Sequence, residues 1–188
     1  HGRRSGRGHG RRHLHRRPSR QRCGAQGPRH CHGAAIAAEL ARQGFFVIGT
    51  ATTESGAAAI GQSLSAVGRG QGVALNVTDA TACDDLIDRI VKEHGGLHVL
   101  VNNAGWDRFQ NFIDMNPADW EQLIAINLRG PLNMHHLVVP GMVKQGRGRV
   151  INISSDAARV GSSGESVYSA CKGGILSFSK TLARELAR

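Results

Sequence analysis

Apolar residues alternate between helical and extended spacing from Gly33 onward and hardly occur before it. Residues 34–41 are strong helix formers with Ile36 and Leu40 four apart on one face, and Gly44 is placed to end that helix. Phe45-Phe46-Val47-Ile48-Gly49 is a continuously apolar run, as a strand covered on both faces requires. A weaker helical pattern over 54–66 leads into a second strand at 72–77. Asp79 is an N-cap for a helix to about residue 94, with Leu86, Ile87, Ile90 and Val91 on its inner face. A third strand, 97–101, runs into Asn102-Asn103-Ala104-Gly105. Helical patterns cover 117–128 and 131–145, the second opening with Pro131 in its first turn. The fourth strand is 149–153. After a loop of small residues, a last helix begins near Glu165 and is still running at Arg188.

Strands alternating with helices imply right-handed βαβ units, so the fold class expected is α/β, a single domain with a doubly wound parallel sheet of the Rossmann type. Ligands of such sheets bind beyond the carboxyl ends of the strands. The 102–105 turn and the Ser154-Ser155 loop both follow strands, so one crevice should hold them.

Composition changes this picture only at the amino terminus. The 188 residues suffice for one domain with a sizeable core. A net charge of +10 suggests nucleic acid until it is located. Residues 1–32 carry ten arginines and no acid, and the remaining 14 basic residues match the 14 acids. The domain proper, 33–188, therefore gives no electrostatic reason to expect nucleic acid. Residues 1–32 have Leu14 as their one large aliphatic side chain and cannot bury enough apolar surface to offset the entropy of ordering, so disorder is expected there. No apolar run approaches the roughly 18 residues of a membrane span. Cys23, Cys31, Cys83 and Cys171 show no framework spacing and read as free thiols of a cytoplasmic protein. The Cys23, His30, Cys31, His32 cluster lacks a paired C-x-x-C, so no metal site is expected.

The candidate chemistry lies in the second half. Tyr168, the only tyrosine, and Lys172 are four apart on the last helix and share a face. A free phenol titrates at about 10, too high for efficient acid/base work at neutral pH, and a neighbouring ammonium favours the phenolate. Such a pair can pass a proton to or from a carbonyl or alcohol oxygen. Taken alone, it is more often an exposed tyrosine beside a solvated lysine. Ser155 lies 13 residues upstream, after a buried strand, where its hydroxyl can reach the same oxygen. The small residues at 102–105 let a ligand approach the backbone closely. Asn127 lies in the helix between, 41 residues before Tyr168, and by itself would read as a helix-surface asparagine.

With NNAG at 102–105, Asn127, INISS at 151–155 and YSACK at 168–172 in this order and spacing, residues 34–188 resemble the short-chain dehydrogenase/reductase family. The resemblance implies an NAD(P)-dependent oxidoreductase. Carried over, Tyr168 is the acid/base, and Lys172 lowers its pKa and binds the nicotinamide ribose. Ser155 holds the substrate oxygen, Asn127 supports a proton-relay water, and Asn103, Ala104 and Gly105 line the cofactor crevice. Thr50, Asn76 and Val77 join Tyr168 and Lys172 among the cofactor-binding residues. Residues 47–52 and 74–79 look like bacterial 3-oxoacyl-[acyl carrier protein] reductases of fatty acid biosynthesis. Trp106-Asp107 and residues 155–165 look more like NAD-linked 2-hydroxycyclohexanecarboxyl-CoA dehydrogenases. Both imply a 3-oxoacyl or 3-hydroxyacyl thioester, on an acyl carrier protein or on CoA. NADP(H) is favoured over NAD(H), because the strand ending near Thr50 lacks the acid that would bind the adenine ribose 2′-hydroxyl. The family commonly forms homotetramers through its two long helices, here near 117–145 and 165–188.

The resemblance fails at the start. The family opens with a strand, then Thr-Gly-x-x-x-Gly-x-Gly, whose glycines let the backbone approach a pyrophosphate at a helix N-terminus. Here Gly27-Pro28-Arg29-His30-Cys31-His32-Gly33 precedes the helix, with no apolar strand before it. Arg29-His30-Cys31-His32 can be encoded CGG-CAT-TGC-CAC, which one base later reads Gly-Ile-Ala, close to the family's Gly-Ile-Gly. Residues 1–32 are thus either out of frame or a genuine basic leader. The family also continues beyond the last helix matched, so a domain incomplete at both ends is expected. The reading from another class is an inactive binding protein or a gene fragment.

Overall fold

Short polar side chains cap the starts of helices at Thr53, Asp79 and Asn116, and helices end at Gly95, Gly146 and Gly161. The computed structural model describes residues 32–187. Cys23, His30, Cys31 and the rest of the segment 1–31, for which disorder is expected, lie outside those residues. Helix α1 spans His32–Arg42, and β1 (Phe46–Ala51) follows the turn at Gly44. Thr53 caps α2 (Glu54–Ser65), its Oγ1 accepting from the Gly56 N–H at 3.1 Å. Strand β2 is Arg69–Ala74. Asp79 caps α3 (Ala80–His94) by accepting from the Ala82 N–H at 3.0 Å, and Gly95, at φ +77°, ends it. Strand β3 is Val99–Asn102, and a single 3₁₀ turn at Phe112–Asp114 precedes α4 (Pro117–Ile124). A π-helical turn, Ala125–Arg129, joins α4 to α5 (Gly130–Gln145). Strand β4 is Arg149–Asn152, followed by the one-turn α6 (Ala157–Val160) and by α7 (Ser166–Glu185).

Side chains alternate across the strands, which gives the sheet its two faces. In β1, Ile48 packs into the core that Leu75, Cys83, Leu86, Ile87, Ile90, Leu100 and the α5 residues Met134, Val138 and Met142 form. Its neighbour Gly49 faces α2, where a Cβ would lie 2.6 Å from Ile60. Gly72 in β2 is against the α2 backbone in the same way, while Val73 faces the core. Helices α1 and α2 therefore cover one face, and α3 and α5 the other. His135 of α5 meets Phe178 of α7 edge-on, with centroids 4.9 Å apart, which puts α7 on the α5 side.

Pairing is parallel throughout, β1 with β2 (Phe46↔Arg69 to Ala51↔Ala74) and β3 with β4 (Val99↔Arg149 to Asn102↔Asn152). The expected layering is present, but the expected single sheet is two strand pairs among the described residues. Both pairs lie on one core, yet no described strand bridges β1 and β3, so each keeps one edge without a ladder partner.

Other expectations shift in detail. Strand β2 lies three residues earlier than hydropathy suggested, because pairing with β1 recruits Arg69, Gly70 and Gln71. The inner face of α3 holds Cys83 and not Val91, which is 48% exposed. Cys83 and Cys171 are free, as expected, and both are buried. The helices expected at 117–128 and 131–145 form one continuous rod, because the π turn carries the backbone through without a break. The last helix ends at Glu185, with Leu186 as its C-cap. No helix among the described residues is long and apolar enough to cross a membrane.

Candidate active site

Because Asn102 and Asn152 are paired in register, the segments that follow β3 and β4 leave the sheet side by side. Helix α7 is tied to them. Ser154 Oγ donates to the Lys172 carbonyl at 3.3 Å, and Lys172 Nζ donates to the Ile153 carbonyl at 3.0 Å. Lys172 is only 5% exposed, and burial pushes its ammonium below the usual lysine value, with Cys171 acting weakly the other way. Tyr168 stands one turn earlier, its ring centroid 5.7 Å from Lys172 Nζ. Ser155 is hydrogen-bonded to the Tyr168 hydroxyl, and its Oγ also accepts from the Ala157 N–H at 3.2 Å.

Burial raises the Tyr168 phenol above its usual value; the Ser155 hydrogen bond pulls it down, and the charges of Asp107 and Glu165 push it up. This is opposite to the lowering expected from Lys172, whose ammonium is turned to the Ile153 carbonyl. Asp107 and Glu165 were named in the sequence reading but given no part in the chemistry of the site. Glu165 could have been found, since it stands three residues before Tyr168 at the head of the same helix.

Asn127 is fully buried inside the π-helical turn, not on a helix surface. Its Nδ2 donates to the Trp106 carbonyl at 2.7 Å and the Leu123 carbonyl at 3.0 Å, and its Oδ1 accepts from the Trp106 N–H at 3.3 Å. The segment after 102–105 is thereby pinned to the helix. Arg108 is held by Asp119 at 2.9 Å, and the Gln110 N–H by the Gly164 carbonyl at 2.8 Å. At Gly105 an added Cβ would lie 3.2 Å from Asn127 Oδ1 and 3.6 Å from Lys172 Nζ, so this turn passes directly over both. At Gly33, in the first turn of α1, a Cβ would lie 2.6 Å from Asn103 Nδ2. Gly33 therefore brings the start of α1 against Asn103, a role that its place as the last residue before the helical pattern did not disclose.

The structure thus brings together Asn103, Gly105, Asn127, Ser155, Tyr168 and Lys172, with Ala104 exposed in the same turn. Thr50 is exposed near the end of β1. Asn76, just past β2, spends its Oδ1 on the Thr78 N–H and hydroxyl at 3.1 and 2.9 Å. Val77 touches the start of α5, where a Cβ on Gly130 would be 3.2 Å from its carbonyl. No cluster of three or more metal-ligating side chains occurs among the described residues.

The lysine makes a stability prediction. A group whose folded pKa is depressed contributes stability that is fully present above its unfolded value of about 10.4 and lost as pH falls through the folded value. Tyr168, raised by burial, works oppositely and loses its contribution as pH climbs above about 10. The melting temperature of the wild type minus that of Lys172→Met should therefore rise between pH 7 and 10. A flat difference would remove the buried ammonium from the account.

A doubly wound sheet with serine, tyrosine and lysine converging beyond two strand ends defines a class of dinucleotide-dependent proteins, and the comparisons place the chain within it. The family model described as short chain dehydrogenase matches residues 27–188. The chain belongs to this family. Over 155 residues it is 41% identical to the 3-oxoacyl-[acyl-carrier-protein] reductase FabG of Escherichia coli (strain K12) and equally to that of Vibrio harveyi, covering 82% of this chain and 63% of either reductase. It thus spans less than two thirds of those relatives. The crystal structure of a metagenomic short-chain oxidoreductase in complex with NADP superposes with a TM-score of 0.78 at 33% identity, covering 82% of this chain and 71% of that one.

Proposed function

We propose that the protein is an NADPH-dependent reductase converting a 3-oxoacyl thioester, carried on an acyl carrier protein or CoA, to the 3-hydroxyacyl thioester. The observation that carries this reading is the half-buried Ser155 and Tyr168 grouped with the buried Lys172 beneath Gly105, in a chain 41% identical to reductases of that name. The site residues fit a nicotinamide ribose. Gly105 keeps the turn open over Lys172, and the ammonium, with one proton on the Ile153 carbonyl, has two more to donate to ribose hydroxyls. A bound nicotinamide supplies the hydride. Tyr168, protonated at neutral pH because burial raises its phenol, gives its proton to the substrate oxygen, and Ser155 hydrogen-bonds the same oxygen. Asn127 holds the Trp106 backbone and with it the wall of the crevice. The lack of an acid at the end of β1 and the similar oxidoreductase in complex with NADP support a preference for NADP(H), and the reading carries with it a cytoplasmic homotetramer.

The test is an assay of NADPH oxidation with acetoacetyl-CoA, in a protein restored at both ends to its relatives' length. The kcat/KM for NADPH should exceed that for NADH by at least tenfold. A clear NADH preference instead supports the second reading, an NAD-linked alicyclic hydroxyacyl-CoA dehydrogenase, which the resemblance of Trp106-Asp107 and residues 155–165 favours. No turnover with any acyl thioester leaves the binding-protein reading.

A further inference from the structure

Between α5 and α7, Leu132, Val139, Pro140, Phe178 and Leu182 line a shallow apolar groove. Beneath it runs a chain of hydrogen bonds that the proposed chemistry does not use. Asn102 Nδ2 donates to Asn152 Oδ1 at 2.8 Å, across the last register pair of β3 and β4. Asn152 Nδ2 donates one proton to Ser179 Oγ at 2.9 Å and the other to His135 Nε2 at 3.2 Å. Ser179 passes its own proton to the Ile175 carbonyl at 2.6 Å. His135 Nδ1 lies 2.7 Å from the Pro131 carbonyl. A carbonyl only accepts, so Nδ1 carries the proton and Nε2 is left as the acceptor that Asn152 needs.

The chain has one direction. Turning the Asn152 amide over would set its NH₂ against that of Asn102 and its oxygen against His135 Nε2. His135 is 3% exposed and closed in by the Phe178 ring, so no water competes for these bonds, and in such surroundings each is stronger and costlier to lose. Its ends matter more than its middle. Asn102 immediately precedes the turn that carries Asn103 and Gly105, and Asn152 stands three residues before Ser155. Ser179 belongs to the helix that carries Tyr168 and Lys172, and His135 to the rod that holds Asn127.

We propose that His135 and Asn152 are positioning residues for the active site. They fix the ends of β3 and β4 relative to α5 and α7, and so set the distance between the 103–105 turn, Ser155 and the Tyr168–Lys172 pair. His135 acts here as an uncharged Nδ1–H tautomer, through Asn152 and without touching a reacting group.

Two measurements on the 188-residue chain test this. Nitrogen NMR of the histidine rings, with the His135 signal assigned by its loss in His135→Gln, should show the Nδ1–H tautomer at pH 7.5. An Nε2–H tautomer overturns the proposal. Amide hydrogen exchange is then compared among the wild type, His135→Leu and His135→Gln. His135→Leu leaves one proton of the Asn152 NH₂ without an acceptor and should speed exchange about tenfold at residues 102–106 and 152–156, while α2 and α3 change less than about twofold. His135→Gln, whose amide oxygen reaches the Nε2 position, should restore protection. Equal loss across all elements, or no rescue by glutamine, would reduce His135 to a packing residue and defeat the proposal.

Discussion

Tyr168→Phe should lower turnover by about 10²–10⁴-fold in a protein restored to its relatives' length, with the circular-dichroism spectrum and melt unchanged. The phenylalanine fills the same space against Lys172, so packing survives. What disappears is the hydroxyl bonded to Ser155, the one proton that the proposed chemistry delivers to the substrate oxygen. The pH profile is a second part of the same expectation. With the phenol held above its usual value, the acid form persists through neutral pH, so reduction should stay flat to about pH 9 and fall beyond the ordinary phenol value of about 10. Oxidation of the hydroxyacyl product needs the phenolate and should climb over the same range. Turnover of Tyr168→Phe near the wild-type value would remove Tyr168 from the mechanism.

The 188-residue chain itself should bind NADPH only weakly, with a Kd above about 1 mM, and should melt roughly 10 °C or more below the full-length reductases it matches. Among the described residues β1 and β3 each have an edge without a ladder partner, although both lie on the shared core. Each unsatisfied buried backbone group costs about 1–3 kcal/mol, and several would consume most of a typical domain's 5–15 kcal/mol. The binding deficit has a separate cause. Gly33 brings α1 against Asn103, but the sequence just before it, Pro28-Arg29-His30-Cys31, lacks the glycines of the family's pyrophosphate motif. Isothermal titration with NADPH beside a thermal melt checks both halves. Micromolar binding with a cooperative, high-temperature melt would mean that residues 1–31 supply the strand and the loop after all.

How much of this was legible beforehand depends on which residues carry local signals. Asp79 and Gly95 punctuate α3 so clearly that its limits could be read directly. Ser155, Tyr168 and Lys172 could be brought together on paper because two strand ends and one helical spacing suffice to do so. Asn127 could be named but not placed, since a π turn leaves no mark in the apolar periodicity beyond a break that reads as the gap between two helices. Val91 and Cys83 exchanged roles because hydropathy ranks valine above a thiol, while the packing of α3 against Leu75 and Leu100 selects the position. The direction of the Tyr168 shift was out of reach for a different reason. It depends on where the Lys172 ammonium points, and that is settled by the Ile153 carbonyl, a backbone group that no side-chain pattern announces.

The π-helical turn has a consequence for insertions and deletions. At Ala125–Arg129 the rod carries an extra residue, with the Gly130 N–H reaching back to the Ala125 carbonyl. Upstream of it, Leu123 is buried beside Cys171 of α7; downstream, Met134 and Val138 face α3 and the sheet. One rod thus serves two partners because its phase slips between them. Deleting a single residue from 125–129 would close the turn to an ordinary α-helix with both flanks still facing their partners. Deleting one from α4 or α5 would instead rotate one half against the other by about 100°. What the deletion within 125–129 would cost is the turn itself, and with it the placement of Asn127 against the Trp106 backbone. Polar and apolar substitutions on the outer face of α5 can be absorbed one at a time, but outside the π turn the length of this rod cannot change by one without the site and the core competing for the same phase.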